Sequence, residues 1–206
     1  GTAWTNDTSG NNWTLSIMQG SPSQNTIGTG PYGRIEYAVS FPGTADLSTL
    51  TNFGTAMGAP TNWTVCYWLQ PNVFDSNDGI WSIGAGVTAF SAYLFSSAIN
   101  FQFYGTSGLR SYTNTNWIRQ CFTYNGTVIV FYSNAVSSVS SYGATPASLA
   151  GKALFLGSYY SATYSLVGQI AAFKLYTNKA FSAAEVTNDW ILVGSTNGPM
   201  GNLEAR

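Results

Sequence analysis

Hydrophobic and polar positions alternate along much of this chain, and alternation of period two predicts half-buried β-strands. From Arg34 to Phe41, Ile35, Tyr37, Val39 and Phe41 fall on one side, and Arg34, Glu36, Ala38 and Ser40 on the other. Pro42-Gly43 then ends the run with turn chemistry. Trp63 to Gln70 sets Trp63, Val65, Tyr67 and Leu69 on one face. Ile99 to Tyr104 alternates Ile99, Phe101 and Phe103 with Asn100, Gln102 and Tyr104. In Trp117 to Tyr124, the residues Ile118, Phe122 and Tyr124 share a face. Thr127 to Tyr132 is apolar on both faces, the pattern of a central strand. Ala153 to Leu156 and Gly168 to Tyr176 complete the set. Asn125-Gly126 lies between two of these runs and predicts a hairpin. So many short strands, so spaced, predict an all-β sandwich or barrel.

One helix is predicted. Ser182 is followed three positions later by Glu185, the capping-box spacing. Val186, Trp190 and Val193 then form one apolar stripe, and Gly194 supplies the C-terminal stop. Residues 1–33 are rich in Gly, Asn, Thr and Ser and read as an arm or a loose first strand. Residues 34–194 form one domain, and 195–206 read as a tail. A chain of 206 residues fits a single all-β domain with a full core.

Composition narrows the setting. Only 7% of residues are charged, against about 25% in ordinary soluble domains. Aromatic residues reach 16%, so the surface must be built from Asn, Ser, Thr, Gly and Tyr. With net charge −1 there is no basic patch to displace counterions from phosphates, which argues against nucleic acid as a partner. No apolar run approaches the roughly 20 residues that span a bilayer, so no membrane insertion is expected. The chain starts at Gly1 rather than Met and reads as a processed or excised piece. Sequons at Asn6, Asn12, Asn62 and Asn125 are candidate N-glycosylation sites. The sequons, the two cysteines and the low charge together point to an oxidising, extracellular or particle-surface location.

The stretch from Leu154 to Trp190 carries a family resemblance. It runs strand, Leu-Gly, variable loop, Gly-x-Ile strand, Tyr, Asn, Ala, Ser and then Glu in a short helix. Gly157, Gly168, Ile170, Phe173, Tyr176, Asn178, Ala180, Ser182 and Glu185 fill those places, with Phe181 where Leu is usual. Asn62 to Pro71, with Trp68 central, Asn116 to Gly126, and Ser40 to Leu47 fit earlier parts of the same pattern in order. Over roughly residues 35 to 193 the chain resembles laminin-G-like domains of the concanavalin A-like superfamily. The resemblance implies a two-sheet antiparallel jelly-roll sandwich with one short C-terminal helix. It also implies lectin-like binding, and such segments occur in proteins of virus and phage particles. Family members often carry an acidic residue just after the Ile of the Gly-x-Ile strand. Here Ala171 and Ala172 stand in that place.

Chemistry is thin along the chain. There is no histidine, which excludes Ser-His-Asp triads, His-liganded zinc and a His-dependent sugar site of the galectin type. Glycoside hydrolysis needs paired carboxylates, and the superfamily's Glu-x-Asp-x-(x)-Glu strand motif is missing. Glu36 stands alone in a strand, Glu185 caps a helix and Glu204 lies in the tail. The expectation is therefore a non-enzymatic protein that requires no cofactor. Asp75, Asn77 and Asp78 could give oxygen ligands to calcium, but the same residues are ordinary turn formers. Cys66 and Cys121 occupy corresponding places in two strands, opposite each strand's main apolar face. A disulfide is expected, with two buried free thiols as the alternative. Tyr159, Tyr160 and Tyr164 fall in the variable loop and are the candidate ligand-binding residues. Their rings and the neighbouring polar groups suit sugars or protein contacts, unless they pack back onto the sandwich. Trp63, Trp68, Trp81, Trp117 and Trp190 are expected in the core. Two function classes follow. One is a surface-displayed structural or adhesive protein, such as a coat, fibre or virion-surface subunit, with copies of itself, other coat proteins and glycans as partners. The other is a secreted carbohydrate-binding module, and a glycan-active hydrolase ranks below both.

Overall fold

Alternation requires a partner for each apolar face, and two sheets laid face to face supply it. The computed structural model describes residues 16–19, 23–27, 36–44, 46–48, 52–59, 61–74, 77–84, 90–96, 98–103, 106–112, 115–134, 136–141, 148–159 and 164–194. In chain order the first strands are β1 (Ser16–Gln19), β2 (Ser23–Ile27), β3 (Glu36–Pro42) and β4 (Asp46–Ser48), followed by helix α1 (Asn52–Met57). Then come β5 (Trp63–Pro71), β6 (Gly79–Ile83), β7 (Phe90–Leu94), β8 (Ala98–Phe103) and β9 (Thr106–Ser111). The last are β10 (Ile118–Tyr124), β11 (Val128–Ser133), β12 (Val136–Ser141), β13 (Leu154–Leu156), β14 (Val167–Thr177) and helix α2 (Ala183–Gly194). The first sheet has the order β1-β4-β13-β6-β7-β8-β9, and the second the order β12-β11-β10-β5-β14-β3-β2. The named strands pair antiparallel throughout, which is the predicted jelly-roll sandwich. The stretch 1–33 contributes β1 to one sheet and β2 to the other, while 195–206 lies outside the described residues. α1 adds a short helix that the pattern did not predict.

The core lies between the sheets. Trp63, Val65, Tyr67 and Leu69 point inward from β5, as the alternation requires, and meet Trp81, Ile83, Phe90 and Phe101 from the opposite sheet. Phe101 stacks on Phe122 at 4.5 Å between ring centroids, and Trp63 lies 4.2 Å from Phe90. One polar pair lies within this apolar layer. Tyr67 and Gln120 are direct partners across β5 and β10, and the Tyr67 hydroxyl donates to Gln120 Oε1 at 2.6 Å. Burial raises the Tyr67 pKa well above the tyrosine range, with the nearby Trp81 side chain and then the Arg119 charge opposing it. Unfolded tyrosine ionises near pH 10. The native state therefore loses stability as pH rises through that value, because only the unfolded chain can release this proton. In an alkaline ultraviolet titration, the Tyr67 tyrosinate signal is expected to arrive only with unfolding. A smooth titration at constant circular dichroism would contradict this.

Helix α2 covers part of the second sheet's outer face. Ser182 caps it as predicted: its N–H donates to Glu185 Oε2 at 2.9 Å, and Glu185 N–H donates back to Ser182 Oγ at 3.3 Å. The Ser182 backbone N–H, then Lys179, hold the Glu185 carboxyl down to about 2. Beneath the helix, Cys66 and Cys121 face each other in the register of β5 and β10 and form the expected disulfide. Both are buried with Tyr132 and Val186, and Val130 and Phe181 pack around them. This explains why β11 is apolar on both faces. It lies one strand in from the edge, with the core on one side and α2 on the other. Trp190 and Val193 lie in the helix, but their side chains are not among those described.

The same face holds a buried ionic cluster. Arg119, beside Cys121, pairs with Asp189 of α2, and Lys174 donates to the other Asp189 oxygen at 2.6 Å. Arg119 Nη1 also donates to the Ala172 carbonyl at 3.3 Å, and the guanidinium lies 6.0 Å from the Trp68 ring centroid. Ala172 has φ +47° in the irregular stretch of β14, where register shifts between Ala171 and Lys174. The two alanines that replace the family's acidic residue thus sit at a bulge. Ala171 packs on Trp68 and Ala38, and the Ala172 carbonyl receives Arg119.

Candidate binding surface

Residues between the core positions of the first sheet point to its outer face. Ser82 of β6, Ser91 and Tyr93 of β7, and Asn100 and Gln102 of β8 alternate with core residues. The register makes them a block: Ser82 pairs with Ser91, Ser91 with Gln102, and Tyr93 with Asn100. Every member is polar and none is charged.

The predicted variable loop returns onto this block. Gly157 N–H donates to the Ile80 carbonyl at 2.9 Å, and Leu166 N–H to the Gly157 carbonyl at 2.8 Å. Ser158 bridges Ser165, Ser165 bridges Gly79, and Tyr159 N–H donates to the Tyr164 carbonyl at 3.2 Å. Gly79 permits this approach, since a Cβ there would lie 1.8 Å from the Tyr159 nitrogen. Gly157 has φ +75° and leaves room for the Phe41 ring, which would lie 2.1 Å from a Cβ. The glycine of the Leu-Gly motif is thus required twice over.

Tyr159 is thereby set over the sheet. Its ring lies 4.8 Å from Tyr93 and 6.4 Å from Tyr164, between centroids. Its hydroxyl donates to Gln102 Oε1. Asn100 Nδ2 donates to the Tyr93 hydroxyl at 2.5 Å. Burial raises the Tyr93 pKa, and the Asn100 bond partly opposes it. Asn100 Oδ1 and Ser91 Oγ are buried with no hydrogen-bond partner among the described residues. The result is a neutral, half-buried patch of three phenol rings and the Gln102 amide, with Ser82, Ser91 and Asn100 buried. Phenol rings can stack on C–H faces, and the amide and phenol groups can bond hydroxyl groups. Among these residues there is no pair of carboxylates for acid–base chemistry.

The structure brings Tyr159 and Tyr164 together, half-buried, and leaves Tyr160 outside the described residues. It also adds Tyr93, Asn100 and Gln102, which the sequence reading did not assign to the site. At the other candidate site, Asp75 lies outside the described residues. Asn77 has φ +71° and donates its N–H to the Leu94 carbonyl at 2.9 Å, while the Asp78 carbonyl accepts from Leu94 N–H at 2.8 Å. These are contacts of a turn entering β6, and no cluster of three metal-ligating side chains occurs among the described residues. Of the sequons, Asn6 and Asn12 lie outside the described residues. Asn62 and Asn125 lie together at one end of the second sheet. Asn125 Oδ1 accepts from Thr127 and Val128 N–H, and Asn62 Nδ2 reaches the Asn125 carbonyl at 3.2 Å once its amide is turned to match its neighbours.

Known proteins place this geometry in a family. The model of a laminin-G-type family in the concanavalin A-like lectin/glucanase superfamily matches residues 42–187. Among solved structures, the chain is similar to domain 4 of a GH43 extracellular arabinanase from Geobacillus stearothermophilus, in complex with arabinotriose. The TM-score is 0.65 at 14% identity, over 89% of this chain and 91% of that one. It is also similar to the binding domain of Paraclostridial Mosquitocidal Protein 1, with TM-score 0.70 and 13% identity over 90% of this chain and 48% of that one. The binding domain of botulinum neurotoxin serotype G gives TM-score 0.71 and 14% identity, over 93% and 49%. The chain thus spans about half of each toxin domain. No curated protein sequence matches. The chain belongs to the concanavalin A-like lectin/glucanase superfamily, as a laminin-G-type jelly-roll domain.

Proposed function

We propose that this chain is a non-catalytic, surface-displayed adhesive or structural domain that recognises neutral glycans through Tyr159, Tyr164, Tyr93, Asn100 and Gln102. The observation that carries the reading is the Tyr159 ring, seated on Tyr93 and hydrogen-bonded to Gln102, among side chains that carry no charge. Aromatic rings and amides fit sugar C–H faces and hydroxyls, whereas none of these five residues carries the positive charge that favours sulfated or phosphorylated ligands. The arabinanase domain supports the reading, because its structure holds an arabinose oligosaccharide. The lack of histidine and the scatter of Glu36 and Glu185 over a strand and a helix cap support a role without catalysis.

The low charge and the expected particle-surface setting favour a second role as a coat or fibre subunit that packs against copies of itself. The sequons fit an extracellular glycoprotein. Glycan binding requires no metal, and calcium at Asp75, Asn77 and Asp78 is a separate proposal. A glycan array tests these readings together. The wild-type chain is expected to bind neutral saccharides, equally with and without a chelator. Tyr159→Ala is expected to weaken binding about tenfold or more, the scale of one lost stacking contact with its hydroxyl. Binding confined to anionic glycans, or unchanged by Tyr159→Ala, would refute the assignment.

A further inference from the structure

Among the described residues the sheets end in four edge strands: β1 and β9 in one, β12 and β2 in the other. An edge offers unpaired N–H and C=O groups that template another strand, and soluble proteins blunt it with charge, Pro, bulges or brevity. β1 is four residues long and pairs with an irregular register. β9 carries Gly108 and Arg110. β2 is five residues long. β12 is a residue longer than β2, is as free of charge and Pro, and runs without a bulge. Its sequence from Val136 to Ser141 is Val-Ser-Ser-Val-Ser-Ser, and each residue pairs with β11 without a register shift. No charged residue occurs between Arg119 and Lys152, and Arg119 is itself buried against Asp189.

Alternate residues of an antiparallel edge strand turn their N–H and C=O groups away from the sheet, so the complement of β12 is another extended strand. We infer that this strand is β12 of a second copy, paired antiparallel about a two-fold axis through the Ser138 position, so that two second sheets become one. In that register Val136 of one copy faces Ser140 of the other, Ser137 faces Val139, and Ser138 faces Ser138. A two-fold axis sets a strand against itself, so any charge on it would meet its like. β12 is neutral at every position, and a net charge of −1 leaves little repulsion between whole molecules. One strand pair buries less than the roughly 1,200 Å² of a standard interface, so the dimer is weak in dilute solution and strengthens where copies are displayed side by side. This supplies the partner for the self-associating reading above. It stands apart from glycan recognition, because its test contains no glycan.

Sedimentation velocity of the full chain over a roughly hundredfold concentration range tests it by mass action. The wild-type chain is expected to shift from monomer towards dimer. Hydrogen exchange is expected to slow with concentration at residues 136–141. Ser137 is exposed, so Ser137→Lys leaves the fold intact. It is expected to weaken association about tenfold at low salt, and mixing with Ser137→Glu to restore it. Thermal unfolding checks that both variants are folded. A chain that stays monomeric at the top of the range would overturn the inference. So would association indifferent to Ser137→Lys, or a dimer with no added protection at β12.

Discussion

Asp189→Ala is expected to leave a folded chain about 3–5 kcal/mol less stable than wild type, the cost of breaking a buried ion pair from one side. Arg119 is 3% exposed and cannot shed its charge, so without Asp189 a guanidinium is left buried beside Trp68, with the Ala172 carbonyl as its acceptor among the described residues. Lys174 is partly exposed and loses less. The loss falls on α2, because Asp189 is its ionic tie to the sheet. A chemical denaturation midpoint measures the effect, and the double variant Arg119→Met/Asp189→Leu is expected to recover most of it. The same pair sets an acid limit. Burial acts to raise the Asp189 pKa, but Arg119 and then Lys174 outweigh it and hold the carboxyl below its usual value. The contribution is therefore complete above the unfolded value of about 3.9 and is lost as pH falls through the lower folded value. Asp189→Ala should remove that part of the acid transition.

The second large effect lies directly beneath the helix. Cys66→Ala/Cys121→Ala is expected to lose about 4 kcal/mol, since the bond closes a loop of 55 residues in the unfolded chain. The native ladder already holds β5 and β10 side by side through seven paired positions, from Ile118 to Tyr124. The disulfide therefore acts mainly by restricting the unfolded ensemble. Differential scanning calorimetry of the oxidised chain and the variant measures this, with unchanged circular dichroism expected below the transition. An equal melting temperature would show that the bond contributes nothing. Because Val186 and Phe181 cover the two sulfurs, reduction of the native chain is expected to be slow.

Strands whose two faces differ in chemistry were legible in the sequence even where both faces are buried. β5 and β10 are buried along nearly their whole length, but Thr64, Cys66, Arg119, Cys121 and Thr123 mark the face away from the core, so period two shows. β6 and β7 are buried along nearly their whole length, so Ser82 and Ser91 break an apolar run without giving a readable period. β12 repeats every three residues and hides its period of two. α1, at six residues, is too short for an amphipathic stripe. The disulfide was legible because both cysteines lie off-face at matching depths in their strands. The proposed binding surface was legible only in part. Tyr159 and Tyr164 announced themselves in the variable loop, but Tyr93, Asn100 and Gln102 are ordinary outward positions of two strands. Only the seating of the loop on Gly79 brings them together, and that contact joins residues about eighty positions apart in the chain.

A crystal structure with the best neutral oligosaccharide from an array tests glycan binding by the neutral tyrosine face most directly. A sugar ring is expected against Tyr159 or Tyr164, with a hydroxyl on Gln102. A saccharide bound elsewhere on the sandwich, or no bound neutral saccharide at all, would contradict it.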